Sequence, residues 1–206
     1  MYAKYIKRIL DFSLSLFAIV LLSPFILILN FIGLITMKGN PFFTQERVGL
    51  NEKIFKLIKF RTMTNERDSS GNLLPDEKRV VPYGKFLRST SLDELPELFN
   101  ILKGDIAIIG PRPLLVSYLP YYTETERLRH SVRGGLTVPE VIYGNVTPTW
   151  EEQFSYEVEY AKNITFPLDV KILWYTILII FKRIKTDYGS EVRIPLDVER
   201  KDWVKE

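Results

Sequence analysis

From Ile9 to Met37 the chain is almost wholly apolar, and Ser23-Pro24 interrupts the run near its middle. A stretch this apolar has to be covered by lipid or by protein. As a straight helix, residues 12–37 would reach about 39 Å, enough to cross a hydrocarbon layer of about 30 Å. A signal peptide would have a shorter core followed by a small-residue cleavage site, and none is evident. Pro24 removes a backbone donor and clashes with the preceding turn, so a kink is expected there. Ser23 can bond back to a carbonyl of the same turn and widen the bend. Basic residues flank both ends, with Lys4, Lys7 and Arg8 before the run and Lys38 after it. Positive charge marks the cytoplasmic side, so both ends favour one face. A simple span would separate them, whereas a helix that bends and returns to the same leaflet would not. The expectation is a re-entrant hairpin over residues 1–38 and a cytoplasmic catalytic domain over residues 39–206, packed on the membrane surface.

With 206 residues, the rest of the chain can form one compact core. Charged residues make up 26%, too many for a multi-span membrane protein. A net charge of +3 does not argue for nucleic acid and suits an anionic membrane surface better. The absence of cysteine excludes disulfides and thiolate metal sites. With a single histidine, His130, chemistry falls to carboxylates, hydroxyls, lysines, arginines or a hard cation.

Beyond Gly39-Asn40-Pro41, residues 42–63 read as a hairpin turning near Val48-Gly49-Leu50-Asn51. Residues 64–82 read as a polar surface loop. A helix is expected from Ser91, with Glu94 at capping-box spacing and an apolar face ending at Gly104. Ile106–Ile109 is a short buried run that stops at Gly110-Pro111-Arg112-Pro113. Residues 114–129 look helical and residues 131–149 rich in loops. Trp150–Lys162 has helical spacing, with Glu151, Glu152, Glu157 and Glu159 as an acidic face. Leu168–Lys185 is amphipathic around Trp174, and its uncharged run, Ile172–Phe181, is too short to span. Such a helix suits either a membrane interface or a buried core. The fold class expected is therefore α/β and helix-rich, monotopic, with interfacial amphipathic helices.

There is no Walker loop, no Gly-x-Gly-x-x-Gly, no paired-histidine zinc helix and no Asp-x-Asp. His130 stands among Arg127, Arg129 and Arg133 and is expected at the surface. Asp93-Glu94 remains. Acids in a first turn often do no more than complement the helix dipole or close a cap. Here Arg88 lies one turn earlier and Arg112 follows in a stiff Pro-Arg-Pro turn, so phosphate groups are natural ligands. An aspartate in that setting can bind Mg²⁺ and can attack phosphorus, and the adjacent glutamate can handle a proton.

These stretches resemble the small monotopic phosphoglycosyl transferases, the bacterial sugar transferase domain that begins O-antigen, capsule and N-glycan precursor synthesis. The likeness is carried in family order by Lys7-Arg8-Ile9-Leu10-Asp11, Ser23-Pro24, Phe43–Gly49, Phe55–Met63, Leu87–Asp105 and Ile109–Pro113. The resemblance implies that Asp93 is the nucleophile, forming an aspartyl phosphosugar with loss of UMP. It implies Glu94 as partner in the dyad, Asp93 as contact for Mg²⁺, and Arg88 and Arg112 as phosphate ligands. Ser23 and Pro24 would make the bend that sets the dyad at membrane level, and Lys59 and Arg61 would support the site's face. The implied substrates are a UDP-sugar, first of all one with an N-acetylated amino sugar, and polyprenyl phosphate. The implied setting is the cytoplasmic face of the bacterial inner membrane, among membrane lipids, with downstream glycosyltransferases as partners and no nucleic acid.

The chain departs from the family pattern downstream, where Gln and Arg are replaced by Val141 and Asn145 near Val138. Loss of the arginine would remove a charge-assisted contact worth about 1.5–3 kcal/mol, so choice of sugar nucleotide is expected to depend on this stretch. Two rival classes share the membrane segment or the acid. A non-enzymatic scaffold for glycan assembly needs no Asp-Glu pair with two arginines, and a phosphohydrolase would use Asp93 with water as acceptor.

Overall fold

The computed structural model describes residues 1–144, 148–183 and 193–203, with 181–183 as backbone. Asn145 and Lys185 lie outside the described residues, as do the side chains of Lys182 and Arg183. In chain order the elements are α1 (Lys7–Thr36), β1 (Phe42–Val48), β2 (Ile54–Phe60), α2 (Asp76–Arg79), α3 (Pro82–Ser89) and α4 (Glu97–Lys103). They continue with β3 (Ala107–Ile109), α5 (Glu124–Arg127), β4 (Gly135–Thr137), α6 (Trp150–Lys162), α7 (Phe166–Arg183) and α8 (Leu196–Glu199). Single-turn 3-10 segments join several of them.

The apolar run forms α1, which continues through Pro24, and the Ser23 hydroxyl donates to the Val20 carbonyl at 2.8 Å. Together with the turn before it, this is the one helix among the described residues long and apolar enough to cross a membrane. Only 17% of its most apolar 18-residue window is buried, so most of its side chains face outward. The inward face falls into two parts. Lys7, Asp11 and Ser15, four residues apart, are buried at one end, and Ile26, Leu29 and Gly33 at the other.

Polar contacts fix the first part. Lys7 pairs with buried Asp169 of α7 at 2.8 Å, and Asp11 accepts from the Ile108 amide at 3.0 Å. The Arg8 guanidinium donates to the Ile101 and Leu102 carbonyls at the end of α4, where a helix leaves such acceptors unpaired. Past Pro24 the contacts become apolar. Ile26 and Leu29 join Phe60 and Leu87 in a core cluster flanked by Leu92 and Leu95.

β1 and β2 form the expected antiparallel hairpin, with Phe42 opposite Phe60 and Val48 opposite Ile54. Its turn places Asn51 at φ 51°, a conformation asparagine tolerates well. Strand alternation puts Phe43, Gln45 and Arg47 on one face with Leu57 and Lys59 of the partner strand. β3 and β4 pair in parallel, Ala107 with Gly135 and Ile109 with Thr137. Asn100, wholly buried on α4, accepts from the Ile58 amide and donates to the Lys56 carbonyl, which locks α4 to β2.

Three expectations need correction. The segment 64–82 is not loop alone: it holds α2 and bridges between Met63 and Val80 and between Arg67 and Leu73. Glu157 does not belong to an exposed acidic face, because it is wholly buried against Arg129. His130 is buried rather than superficial, its ring beside Arg129 at 3.0 Å and Glu52 at 3.4 Å. Burial and the Arg129 charge hold its pKa down to about 4, so the imidazole is neutral and accepts from Arg129. As for α7, Asp169 and Ile172 are buried, whereas Val170, Trp174, Ile177 and Leu178 are exposed. A pure core helix is therefore ruled out.

Candidate active site

The sequence places Asp93 and Glu94 two and three residues beyond Ser91, and the structure alters how they are held. Ser91 adopts φ 55°, the left-handed region that costs an L-residue about 1–2 kcal/mol. Its side chain makes no capping bond, which overturns the expected capping box. Leu92–Glu94 is a 3-10 turn, and the regular helix starts only after Pro96, a residue suited to a helix entrance. The reason lies in Glu94, whose carboxylate turns away from the backbone to accept from Lys59 Nζ at 2.7 Å. A charged partner on β2 outweighs a local cap.

Lys59 is the pivot of the site. It also reaches Glu97 of α4 at 3.2 Å. Lys59 was expected to support this face, whereas Glu97 passed unnoticed in the sequence as one acid of a helix. Its signal was its spacing, three residues after Glu94, which brings both onto one side of the turn. The charges of the three groups are unequal. Burial first, and then the nearby Glu94 charge, push Glu97 up to about 7, while Lys59 is shifted up because its carboxylate neighbours outweigh its own burial. The two upward shifts conflict if each pair is read alone. They agree if Lys59 is committed chiefly to Glu94, which leaves Glu97 facing a like charge.

A stability effect follows. The folded chain keeps the Glu97 proton to about pH 7, against 4.5 for the ordinary carboxyl. Between those values the folded state binds more protons than the unfolded, so this group's contribution is full below pH 4.5 and is lost as pH rises through 7. In thermal melts the wild type should lose stability across this window more steeply than Glu97→Gln. Parallel curves would mean that Glu97 is ionised throughout.

Asp93 sits beside this triad, half-buried, and lines a cavity of about 440 Å³. Burial, then repulsion by Glu94, raise its pKa, while Lys59 and Arg88 pull it down. Arg47, Lys59, Arg61, Arg79 and Arg88 line the same cavity, and among the described residues Asp93 is its one acidic side chain. Arg88 reaches it because α3 lies against the chain leaving β2. A Cβ on Gly84 would come within 1.9 Å of the Thr62 carbonyl oxygen, so only glycine permits that approach. One turn later, Arg88 Nε donates to Thr62 Oγ1 at 2.9 Å.

Arg112 stands on the other side of Glu94, 4.0 Å from its carboxylate and with 54% of its side chain exposed. Its backbone is held from beneath. The Arg112 amide donates to Glu157 at 2.8 Å, and the Arg112 carbonyl accepts from Arg129 at 2.5 Å. Arg129 and Glu157 pair at 2.6 Å with almost no exposure. Glu94 and Arg112 line a second cavity of about 300 Å³ that Asp93 and Arg88 do not line. The four expected site residues thus divide between two cavities: Asp93 and Arg88 line one, Glu94 and Arg112 the other. Ser23 and Pro24 lie apart from the four, one turn from the Ile26 and Leu29 that pack near Leu92 and Leu95.

The model of one protein family, the bacterial sugar transferases, matches residues 2–183. The chain belongs to that family. An uncharacterized sugar transferase, EpsL, of Bacillus subtilis is 48% identical over 174 residues, which cover 84% of this chain and 85% of that one. A UDP-glucose:undecaprenyl-phosphate glucose-1-phosphate transferase of Klebsiella pneumoniae is 36% identical, over 83% of this chain and 39% of its own. A UDP-N-acetylgalactosamine-undecaprenyl-phosphate N-acetylgalactosaminephosphotransferase of Aeromonas hydrophila is 32% identical, over 88% of this chain and 43% of its own. The chain therefore spans about two-fifths of the latter two and most of the first.

Proposed function

We propose that this bacterial sugar transferase moves a sugar 1-phosphate from a UDP-sugar to undecaprenyl phosphate, giving a polyprenyl-diphospho-sugar and UMP. The observation that carries the reading is Asp93 opening into a cavity lined by five cationic side chains. A diphosphate entering such a cavity meets charge of opposite sign, and the carboxylate is already at its wall. The relatives named for this reaction use different sugars. An N-acetylated amino sugar is the donor we place first.

In the proposed path an Asp93 oxygen attacks the sugar-bearing phosphorus. A phosphorus–oxygen bond forms, the diphosphate bridge breaks, and UMP leaves with the bonding electrons. An oxygen of the lipid phosphate then attacks the same phosphorus, and Asp93 leaves as a carboxylate. Arg88 binds phosphate from the side of Thr62, Arg112 from the far side of Glu94, and Glu94, held by Lys59, completes the dyad. Mg²⁺ fits a single cavity-facing carboxylate, since this ion prefers one or two protein carboxylates with phosphate oxygens and water completing its shell. When bound it would neutralise charge on the phosphates.

The test is UMP release from a panel of UDP-sugars with Mg²⁺, with and without undecaprenyl phosphate. Turnover that continues with water alone as acceptor would favour the hydrolase, and no UMP from any donor would favour the scaffold.

For the membrane segment we propose the re-entrant form, with residues 39–206 at the cytoplasmic face and α7 lying in the interface. The exposed apolar side chains of α1 and α7 support it, as does the polar anchoring of Lys7, Arg8 and Asp11 to the catalytic elements. Tags at both termini should then be labelled from the cytoplasmic side alone. Pro24→Ala should shift molecules toward spanning and lower activity. Labelling of residue 1 from outside in the unaltered chain would establish a simple span.

A further inference from the structure

The second cavity differs in kind from the basic one. Among the described residues Glu94 and Arg112 are its charged side chains, Ser91, Thr137 and Thr176 add hydroxyls, and Leu95, Leu98, Val138, Val141 and Ile179 form much of the rest of its lining. One wall belongs to α7, whose other surfaces, at Val170, Trp174, Ile177 and Leu178, are apolar and exposed. An apolar path therefore runs from an exposed helix to a carboxylate and an arginine that is more than half exposed.

We infer that this cavity receives the first isoprene units of the lipid acceptor, with its phosphate on Arg112 beside Glu94, while the UDP-sugar occupies the basic cavity on the Asp93 side. The inference rests on the transfer reaction proposed above. Three features select a polyprenyl phosphate as the occupant. The cavity is mostly apolar in its lining and also carries Arg112, the pattern of an isoprenoid chain joined to a phosphate. Its volume, about 300 Å³, is at the lower end for small-molecule sites and suits a short stretch of hydrocarbon. It also touches α7, whose exposed apolar side chains offer a lipid an approach apart from the cations of the other cavity. A uridine base would meet few side-chain partners there, the hydroxyls of Ser91, Thr137 and Thr176, and that of Thr176 already donates to the Ile172 carbonyl.

The placement gives a new meaning to one departure from the family pattern, Val141. Val138 and Val141 line this cavity, so valine in place of a polar residue at 141 makes the acceptor path more apolar instead of retuning the choice of donor. Burying a polar side chain there without a partner would be unfavourable for a hydrocarbon ligand.

The test compares Val141→Gln and Ile179→Trp with the wild type in vesicles of defined phospholipid, with polyprenyl phosphates of increasing length. In the wild type kcat/KM for the acceptor should rise over the first few isoprene units. Val141→Gln and Ile179→Trp should each lower it at least tenfold and flatten that rise. The relative kcat/KM values of different UDP-sugars should keep their order in both variants. A wild-type enzyme that transfers sugar phosphate while both variants keep the acceptor length dependence overturns the inference and leaves the reaction intact. A changed donor order with an unchanged acceptor overturns it too. Absence of transfer in the wild type would instead remove the reaction on which it stands.

If the thermal melt of Ile179→Trp shows that the chain no longer folds, a direct measurement takes its place. A polyprenyl phosphate carrying a diazirine in its first isoprene units should label the peptides holding Val138–Val141 or Thr176–Ile180. Label confined to peptides of the basic cavity, at Phe43 or Met63, gives the opposite answer.

Discussion

Asp93→Asn should release no UMP from any UDP-sugar and should carry no radioactive sugar after mixing with labelled donor and quenching in acid. The amide has no charge with which to attack phosphorus, and among the described residues the cavity offers no second acidic side chain. The wild type, treated the same way with donor alone, should retain label on the peptide containing Asp93, and steady-state rates should follow ping-pong kinetics. Wild-type protein without such label, or intersecting-line kinetics in which both substrates bind before UMP leaves, would reduce Asp93 to a metal ligand in a direct transfer. Glu94→Gln should be nearly as damaging, because it also frees Lys59 from its 2.7 Å partner. Arg88→Ala and Arg112→Ala should each lower kcat/KM roughly ten- to hundredfold, the scale of one charged hydrogen bond of about 1.5–3 kcal/mol.

Glu157→Ala should destabilise the fold by about 3–5 kcal/mol, although Glu157 lies on a helix away from the dyad. The change leaves Arg129 wholly buried with a charge and no carboxylate, and it removes the acceptor of the Arg112 amide. A double change, Arg129→Met with Glu157→Leu, separates the two consequences. Replacing a buried pair by hydrocarbon of similar volume is often neutral or stabilising, so the melting temperature should recover. Activity should not recover, because neither group then holds the Arg112 backbone. Recovery of both would mean that the Pro-Arg-Pro turn positions Arg112 by itself.

The buried pair also shows where sequence reading stops. Arg129 and Glu157 are 28 residues apart, and nothing local distinguishes them from solvated charges. His130 was misjudged for the same reason: three neighbouring arginines resemble a surface, yet Arg129 turns inward because Glu157 waits there. Glu97 is a third case, since its raised pKa comes from burial and then from the Glu94 charge, against the pull of Lys59 on β2, and neither its burial nor the reach of Lys59 can be read from spacing.

Local chemistry was legible where one rule acts alone. The apolar length of α1, the hairpin around Asn51, the helix of Trp150–Lys162 and the stop at Gly104 each follow from pattern, from steric limits at a turn or from helix termination, and each stands in the structure. The motif order from Lys7 to Pro113 carried the family as well. What the tertiary structure alone decided is the division of the site. Sequence puts Asp93 beside Glu94, but the left-handed Ser91 and the pull of Lys59 turn the two carboxylates toward different cavities. Adjacent residues diverge because a charged hydrogen bond to a lysine on β2 outweighs the few tenths to about 2 kcal/mol that a helix cap can offer.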